Sequence, residues 1–94
     1  MARLSDAEVS VALNKLPGWS VDDDQLVKTY SFSTFPDAVA FVTRVADVAE
    51  DMGHHPDILI QYSAVTMRLS THSEGGITDK DTQLARRLDG LLGR

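Results

Sequence analysis

The longest helical pattern in the chain runs from Thr34 to Gly53, and it constrains the fold more than any other segment. Thr34 is a suitable N-cap, Pro36 suits the first turn, and Gly53 is a suitable C-cap. Apolar residues recur between these caps at helical spacing and form one broad stripe. The stripe consists of Ala38, Phe41, Val42, Val45, Ala46, Val48, Ala49 and Met52. A helix with such a stripe is expected to cover one face of a sheet.

Two pairs of strand patterns flank this helix. Each segment is rich in β-branched, aromatic or aliphatic residues, and polar or small residues separate the members of each pair. The four segments are residues 19–21 and 26–33 before the helix, and residues 57–62 and 65–71 after it. Lys28 falls on the apolar face of the second segment, which predicts that the outer end of that strand is wet.

Helix-start signals at both ends of the chain complete the pattern. Ser5-Asp6-Ala7-Glu8 is a capping box, and Thr78-Asp79-Lys80-Asp81 resembles one with Asp in the last position. The resulting order, α-β-β-α-β-β-α, predicts an α+β fold in a single domain over residues 1–94. Its two layers are a four-stranded, mainly antiparallel sheet and helices packed on one face. The other sheet face is left for solvent, a ligand or another subunit.

Composition excludes several classes of protein. The net charge is −5, from 9 basic and 14 acidic residues, which argues against a nucleic-acid binder because such proteins need a concentrated basic face. No apolar run approaches the roughly 20 residues that span a membrane. The N-terminal residues form no apolar signal region, so a cytoplasmic location is expected. The chain has no cysteine, so no thiolate can serve as nucleophile or metal ligand.

The three histidines of the chain, His54, His55 and His72, lie close together in the sequence. Histidine is the one side chain whose unperturbed pKa lies in the physiological range, so these residues are the candidates for proton-transfer chemistry. A two-residue turn at Ser63-Ala64 would join the last two strands as a hairpin. That register places His55 opposite His72, with His54 beside them at the hairpin mouth, so the histidines are expected to converge.

Two other classes of site fit the same residues. Three imidazoles can hold zinc and leave a fourth position for water. His54 and His55 are adjacent, however, and a regular strand would turn their side chains in opposite directions, which argues against a shared metal. The second alternative is a non-catalytic interaction module that uses the uncovered sheet face.

The pattern around the histidines extends over nearly the whole chain. Its downstream part is Ala49-Glu50, His54-His55-Pro56, Tyr62, Val65, Leu69-Ser70-Thr71-His72, Gly76, Thr78, Asp81 and Leu84-Ala85. Its upstream part is Leu16, Gly18-Trp19, Leu26, Phe32, Phe35, Ala38 and Phe41. A chain with these residues resembles the pterin-4a-carbinolamine dehydratases. It departs from many relatives at Ile58, where an aromatic residue is common, and at Gly53, where Asn or Asp is frequent.

The resemblance implies an enzyme that removes water from a 4a-hydroxytetrahydropterin and releases the quinonoid dihydropterin. This reaction recycles the pterin cofactor of aromatic amino-acid hydroxylases. Members of the family need no metal or cofactor, adopt the two-layer α+β arrangement, and form homo-oligomers, either dimers or tetramers. A pterin substrate is therefore the expected partner of this chain.

The reaction needs a base and an acid, and the resemblance suggests which histidines supply them. His54 and His72 are hypothesised to perform the proton transfers, and His55 to bind and orient the pterin. Glu50 lies one helical turn before His54, so it is expected either to orient that imidazole or to be a solvated helix residue.

Further candidates for substrate binding lie downstream of the paired histidines. Backbone groups from Ser70 through Thr71 to His72 are expected to bind the amide and amino edge of the pterin, as an open strand edge would. Asp81 has two alternative roles, either bonding the N-terminus of the last helix or taking a direct part in the site.

Overall fold

The structure is a computed structural model that describes residues 2–92. In chain order its elements are α1 (Asp6–Leu13), β1 (Ser20–Asp22), β2 (Gln25–Ser31), α2 (Phe35–Met52), β3 (Asp57–Gln61), β4 (Ala64–Leu69), a 3-10 helix (His72–Glu74) and α3 (Asp79–Gly90). This order confirms the predicted α-β-β-α-β-β-α succession. Within residues 2–92, no helix combines the length and the apolar character needed to cross a membrane.

The four strands form one antiparallel sheet in the order β1-β2-β4-β3. Alternate side chains of the two central strands, β2 and β4, are buried because the helices cover that face. The core between the layers consists of Val9, Leu16, Trp19, Leu26, Tyr30, Ala38, Phe41, Val45, Val48, Val65, Met67, Leu69, Ile77, Leu84, Ala85 and Leu88. The predicted two-layer α+β fold is therefore confirmed.

The helix starts and the end of α2 follow the capping signals in the sequence. Ser5 and Glu8 form a reciprocal capping box at α1, and the hydrogen bonds from Ser5 hold the pKa of the Glu8 carboxyl below its usual value. The hydroxyl of Thr34 accepts a hydrogen bond from the amide of Asp37 at the start of α2. Gly53 ends α2 in the left-handed conformation, with φ 61°, which an L side chain adopts at a cost.

The register predicted for the β3–β4 hairpin is wrong. Ala64 pairs with Gln61 on one side and with Ser31 of β2 on the other, so it already belongs to the ladder. The turn therefore falls one residue earlier, at Tyr62 and Ser63, and Tyr62 adopts a φ of 52°. Each residue of β3 faces a β4 residue two positions earlier than predicted. The shift keeps every side chain on its expected face but removes the predicted pairing of His55 with His72.

Lys28 also contradicts its prediction, because its side chain is buried rather than wet, with only 9% exposed. Its ammonium donates to Asp89 Oδ1 at 2.8 Å and to the carbonyl of Pro17 at 2.9 Å. The same carboxylate accepts from the hydroxyl of Tyr30 at 2.6 Å and from the indole nitrogen of Trp19 at 3.1 Å. The charge of Lys28 is thus paired inside the protein, which is the condition under which a lysine can be buried.

Candidate active site

The backbone at the end of α2 fixes where His54 lies. The amide of His54 donates to the carbonyl of Ala49 at 3.0 Å, and the amide of Gly53 donates to the carbonyl of Glu50 at 3.1 Å. These two bonds with a left-handed glycine form a Schellman motif, which closes the helix and sets the direction of the following chain. His54 therefore directly follows the rigid end of a helix rather than lying in a mobile loop.

The side chain of His54 points to a buried carboxylate. Its Nε2 lies 2.5 Å from Asp81 Oδ1, and the two side chains are 11% and 0% exposed. Within residues 2–92 every buried side-chain nitrogen or oxygen has a hydrogen-bond partner, and Nδ1 of His54 has none. Nδ1 must therefore reach solvent. One ring nitrogen is held by Asp81, and the other reaches the surface of the protein.

Asp81 has the capping role that was one of its two predicted alternatives, and it also contacts His54. It is the third residue of α3, and its Oδ2 accepts from the amide of Thr78 at 2.9 Å in a capping box. The same oxygen accepts from the hydroxyl of Thr71 at 2.9 Å. Asp81 thus ties the start of α3, the end of the β4 segment and His54 together.

His55 has a different partner and a different environment. Its Nε2 contacts Glu50 Oε1, and both side chains are mostly exposed, at 62% and 76%. The expectation that Glu50 orients His54 is therefore wrong, because Glu50 contacts the next residue instead. The chain departs from helical geometry at Gly53, so the spacing that brings residues four apart together no longer applies.

His72 has surroundings of its own, different from those of the other two histidines. It begins the 3-10 helix, is exposed, and does not face His55 across the hairpin as predicted. It lines a shallow cavity of about 240 Å³ together with Ser70 and the β1–β2 turn residues Asp23 and Asp24. Within residues 2–92 no hydrogen bond or ion pair joins His72 to His54, although Thr71 links the two regions through Asp81.

Thr71 does not present the open strand edge that was expected. Its amide donates to the carbonyl of Gly76 at 2.8 Å, and its own carbonyl accepts from the amides of Glu74 and Gly76. Its hydroxyl contacts Thr78 at 2.8 Å as well as Asp81. Thr71 therefore belongs to the hydrogen-bond network that holds Asp81 behind His54. Thr78 belongs to the same network, whereas the sequence pattern indicated only its role as a helix cap.

The side chains do not converge on a metal position. The Nε2 atoms of His54 and His55 are turned to separate carboxylates, those of Asp81 and Glu50. Across the described part of the chain there is no group of three or more His, Asp or Glu residues arranged to hold a metal ion. The arrangement is instead one of histidine–carboxylate pairs, which suit proton transfer and the orientation of a polar ligand.

Comparisons with known proteins show a consistent likeness over the whole length. Residues 2–91 match the family model described as pterin 4 alpha carbinolamine dehydratase. A relative from Thermomicrobium roseum that carries the name pterin-4-alpha-carbinolamine dehydratase is 52% identical over 91 residues, covering 97% of this chain and 98% of the relative. A relative of the same name from Mycolicibacterium vanbaalenii is 53% identical over 93 residues, covering 99% and 100%.

Solved structures share the fold. A transcriptional coactivator/pterin dehydratase from Brucella melitensis superposes with a TM-score of 0.91 at 34% identity, covering 95% of this chain and 97% of that one. A pterin dehydratase-like protein described as a RuBisCO assembly factor in the alpha-carboxysome gives a TM-score of 0.66 at 24% identity, covering 80% and 87%. The second likeness concerns the fold alone.

Proposed function

Because this chain belongs to the pterin-4a-carbinolamine dehydratase family, we propose that it is a hydro-lyase acting on a 4a-hydroxytetrahydropterin. Its product is the quinonoid dihydropterin, and its role is to recycle the cofactor of aromatic amino-acid hydroxylases. The observation that carries the proposal is His54, which has one ring nitrogen on the buried Asp81 and the other open to solvent. That geometry suits a positioned general base.

The proposed reaction needs two proton transfers. The base removes the proton from N5 of the pterin, and the electron pair of that N–H bond forms the C4a=N5 double bond. The C4a–O bond breaks, and the departing hydroxyl takes a proton from an acid and leaves as water. No oxidant or reductant is consumed, so protein side chains alone can carry out the conversion.

The histidines divide this work according to their surroundings. His54 accepts the N5 proton at Nδ1, and the Asp81 carboxylate stabilises the imidazolium that forms, as a carboxylate behind a catalytic histidine does in other enzymes. His72, which is exposed above the cavity that Ser70 also lines, donates the proton to the leaving hydroxyl. His55 binds the pterin, with Glu50 holding its ring in place.

Two of the residues expected to bind the substrate are assigned a different role. Thr71 and Asp81 are assigned to holding His54, because their polar groups are already engaged within the protein. Ser70 and Glu50 remain the candidates for contact with the pterin, the first beside His72 and the second beside His55.

Binding of a stable product-like dihydropterin tests this site assignment. Amide chemical shifts of ¹⁵N-labelled protein are expected to move at His54, His55 and His72 during the titration. Thr29 and Thr66, which lie on the sheet face away from the helices, serve as internal controls and should not move. Absence of binding at millimolar ligand, or shifts confined to that open face, would contradict the proposal and favour an interaction module.

We also propose that the protein is a homo-oligomer that uses strand β3. This edge strand pairs only with β4 within residues 2–92, and each of its residues is exposed. Three of them are large and apolar, namely Ile58, Leu59 and Ile60. Natural sheets protect such edges with charges or prolines, and these three residues carry neither, so this apolar stretch favours pairing with a second copy.

Placing a lysine on this edge is expected to lower the mass in solution. Leu59→Lys adds a charge to the proposed contact, and sedimentation should show a shift from a multiple of 10.3 kDa to the monomer. Ser20→Lys on the opposite edge strand, β1, is the matched control and should leave the mass unchanged. A wild type that is already monomeric at micromolar concentration would refute the proposed oligomer.

A further inference from the structure

The hydroxyl groups behind Asp81 form a chain whose direction can be deduced. Thr78 Oγ1 accepts from the amide of Lys80 at 3.2 Å, and Thr71 Oγ1 donates to Asp81 Oδ2 at 2.9 Å. A threonine hydroxyl carries one hydrogen, which in Thr71 is already used. The 2.8 Å contact between the two hydroxyls must therefore use the hydrogen of Thr78. The chain runs from the Lys80 amide through Thr78 and Thr71 to Asp81.

This direction determines what Asp81 offers to His54. Its Oδ2 receives two donors, the hydroxyl of Thr71 and the amide of Thr78, and an amide cannot reverse its role. As a carboxylate, Asp81 has no hydrogen to donate, and only its Oδ1 is left for His54. The remaining oxygen, Oδ1, then accepts the hydrogen in its 2.5 Å contact with His54 Nε2.

This chain of hydrogen bonds is protected from water, so its hydroxyl hydrogens can keep one arrangement. Thr78 and Asp81 are fully buried, and Thr71 is 8% exposed. Buried hydrogen bonds of this kind are costly to break, because no water is available to bond the donor or acceptor that loses its partner. The hydroxyls therefore have one low-energy orientation rather than several.

We propose that Thr71 and Thr78 are positioning residues that lock His54 in the Nε2–H tautomer and keep its Nδ1 lone pair available. The nitrogen that carries the proton in a neutral histidine is set by the hydrogen bond at the other end of the ring. Among the hydrogen bonds of residues 2–92, none joins Thr71 or Thr78 to the His54 ring, so both act through Asp81. The effect on turnover rests on the proposed dehydratase function, whereas the tautomer is a property of the folded protein.

The test compares Thr71→Val with Thr71→Ser. Valine keeps the branched shape but removes the hydroxyl, so Asp81 loses a donor and Thr78 loses its acceptor. Serine keeps the hydroxyl and should restore the wild-type behaviour. Thr66→Val is the matched control, because it removes a 2.8 Å threonine–threonine contact, with Thr29, on the open sheet face.

Long-range ¹H–¹⁵N NMR of the imidazole rings reads the tautomer directly. We expect the Nε2–H form of His54 in the wild type, in Thr71→Ser and in Thr66→Val, and a mixture with the Nδ1–H form in Thr71→Val. The kcat of Thr71→Val should fall by about 10–100-fold, the range seen when an outer partner that orients a functional histidine is removed in metal sites.

Each outcome decides between the alternatives. An Nδ1–H tautomer in the wild-type spectrum, which needs no variant, would overturn the proposal. So would a Thr71→Val protein with the wild-type tautomer and wild-type kcat. If the wild type has no dehydratase activity but the tautomers follow the expected pattern, the proposed function fails and the positioning role stands.

Discussion

Replacing His54 by Ala is expected to lower kcat for dehydration by about 10²–10⁴-fold, the contribution typical of a positioned general base. The variant removes the ring that meets the buried carboxylate of Asp81 through Nε2 and reaches solvent through Nδ1. The measurement is the rate of loss of a freshly generated 4a-hydroxytetrahydropterin at saturating substrate. His55→Ala is the matched control, because its ring is 62% exposed and contacts the exposed Glu50.

The two histidine variants should differ in which kinetic parameter changes. His55→Ala is expected to raise KM with a smaller effect on kcat, because binding and orientation are its assigned work. The His54 variant should remain folded, since Asp81 keeps its bonds to Thr71 and Thr78. A folded His54→Ala protein with kcat within about threefold of the wild type would remove His54 from the mechanism.

Replacing Asp89 by Ala is expected to cost about 3–5 kcal/mol of the free energy of unfolding, the usual result of breaking a buried ion pair. The change leaves the ammonium of Lys28 uncompensated inside the protein, where it lies 4.9 Å from the ring centre of Tyr30. It also removes the acceptor of the Trp19 indole. Because a small domain is stable by only about 5–15 kcal/mol, the loss would be a large part of the total. Urea unfolding followed by circular dichroism measures it.

Asp51→Ala is the control for the Asp89 variant. Asp51 pairs with Arg87 at 2.9 Å, but the two side chains are 70% and 45% exposed, so the expected cost is about 0–1 kcal/mol. The double variant Lys28→Met with Asp89→Leu should recover much of the loss, because it removes both charges together. A cost below about 1 kcal/mol for Asp89→Ala would show that the network does not stabilise the fold as described.

The features that sequence reasoning predicted correctly depend on local signals. The caps at Ser5, Thr34, Gly53 and Thr78 lie within a few residues of the groups they bond, so the three helix starts and the end of α2 could be read directly. The helical stripe and the strand patterns then fixed the order of elements and the layer arrangement.

The features that were missed depend on partners far away in the sequence. Lys28 meets Asp89 across 61 residues, and His54 meets Asp81 across 27 residues. The hairpin register depended on Ala64, which pairs with two strands at once. A local pattern contains no information about such contacts, which explains why Lys28 looked exposed and why His55 was paired with His72.

The rate at which the wild-type protein dehydrates freshly generated 4a-hydroxytetrahydropterin tests the central claim most directly. Ultraviolet absorbance follows the reaction, with buffer alone and with Thr66→Val protein as references. We expect a catalytic amount of wild type to complete many turnovers faster than buffer, and Thr66→Val to match it. A wild-type rate equal to that of buffer, from folded protein, would contradict the proposed dehydratase.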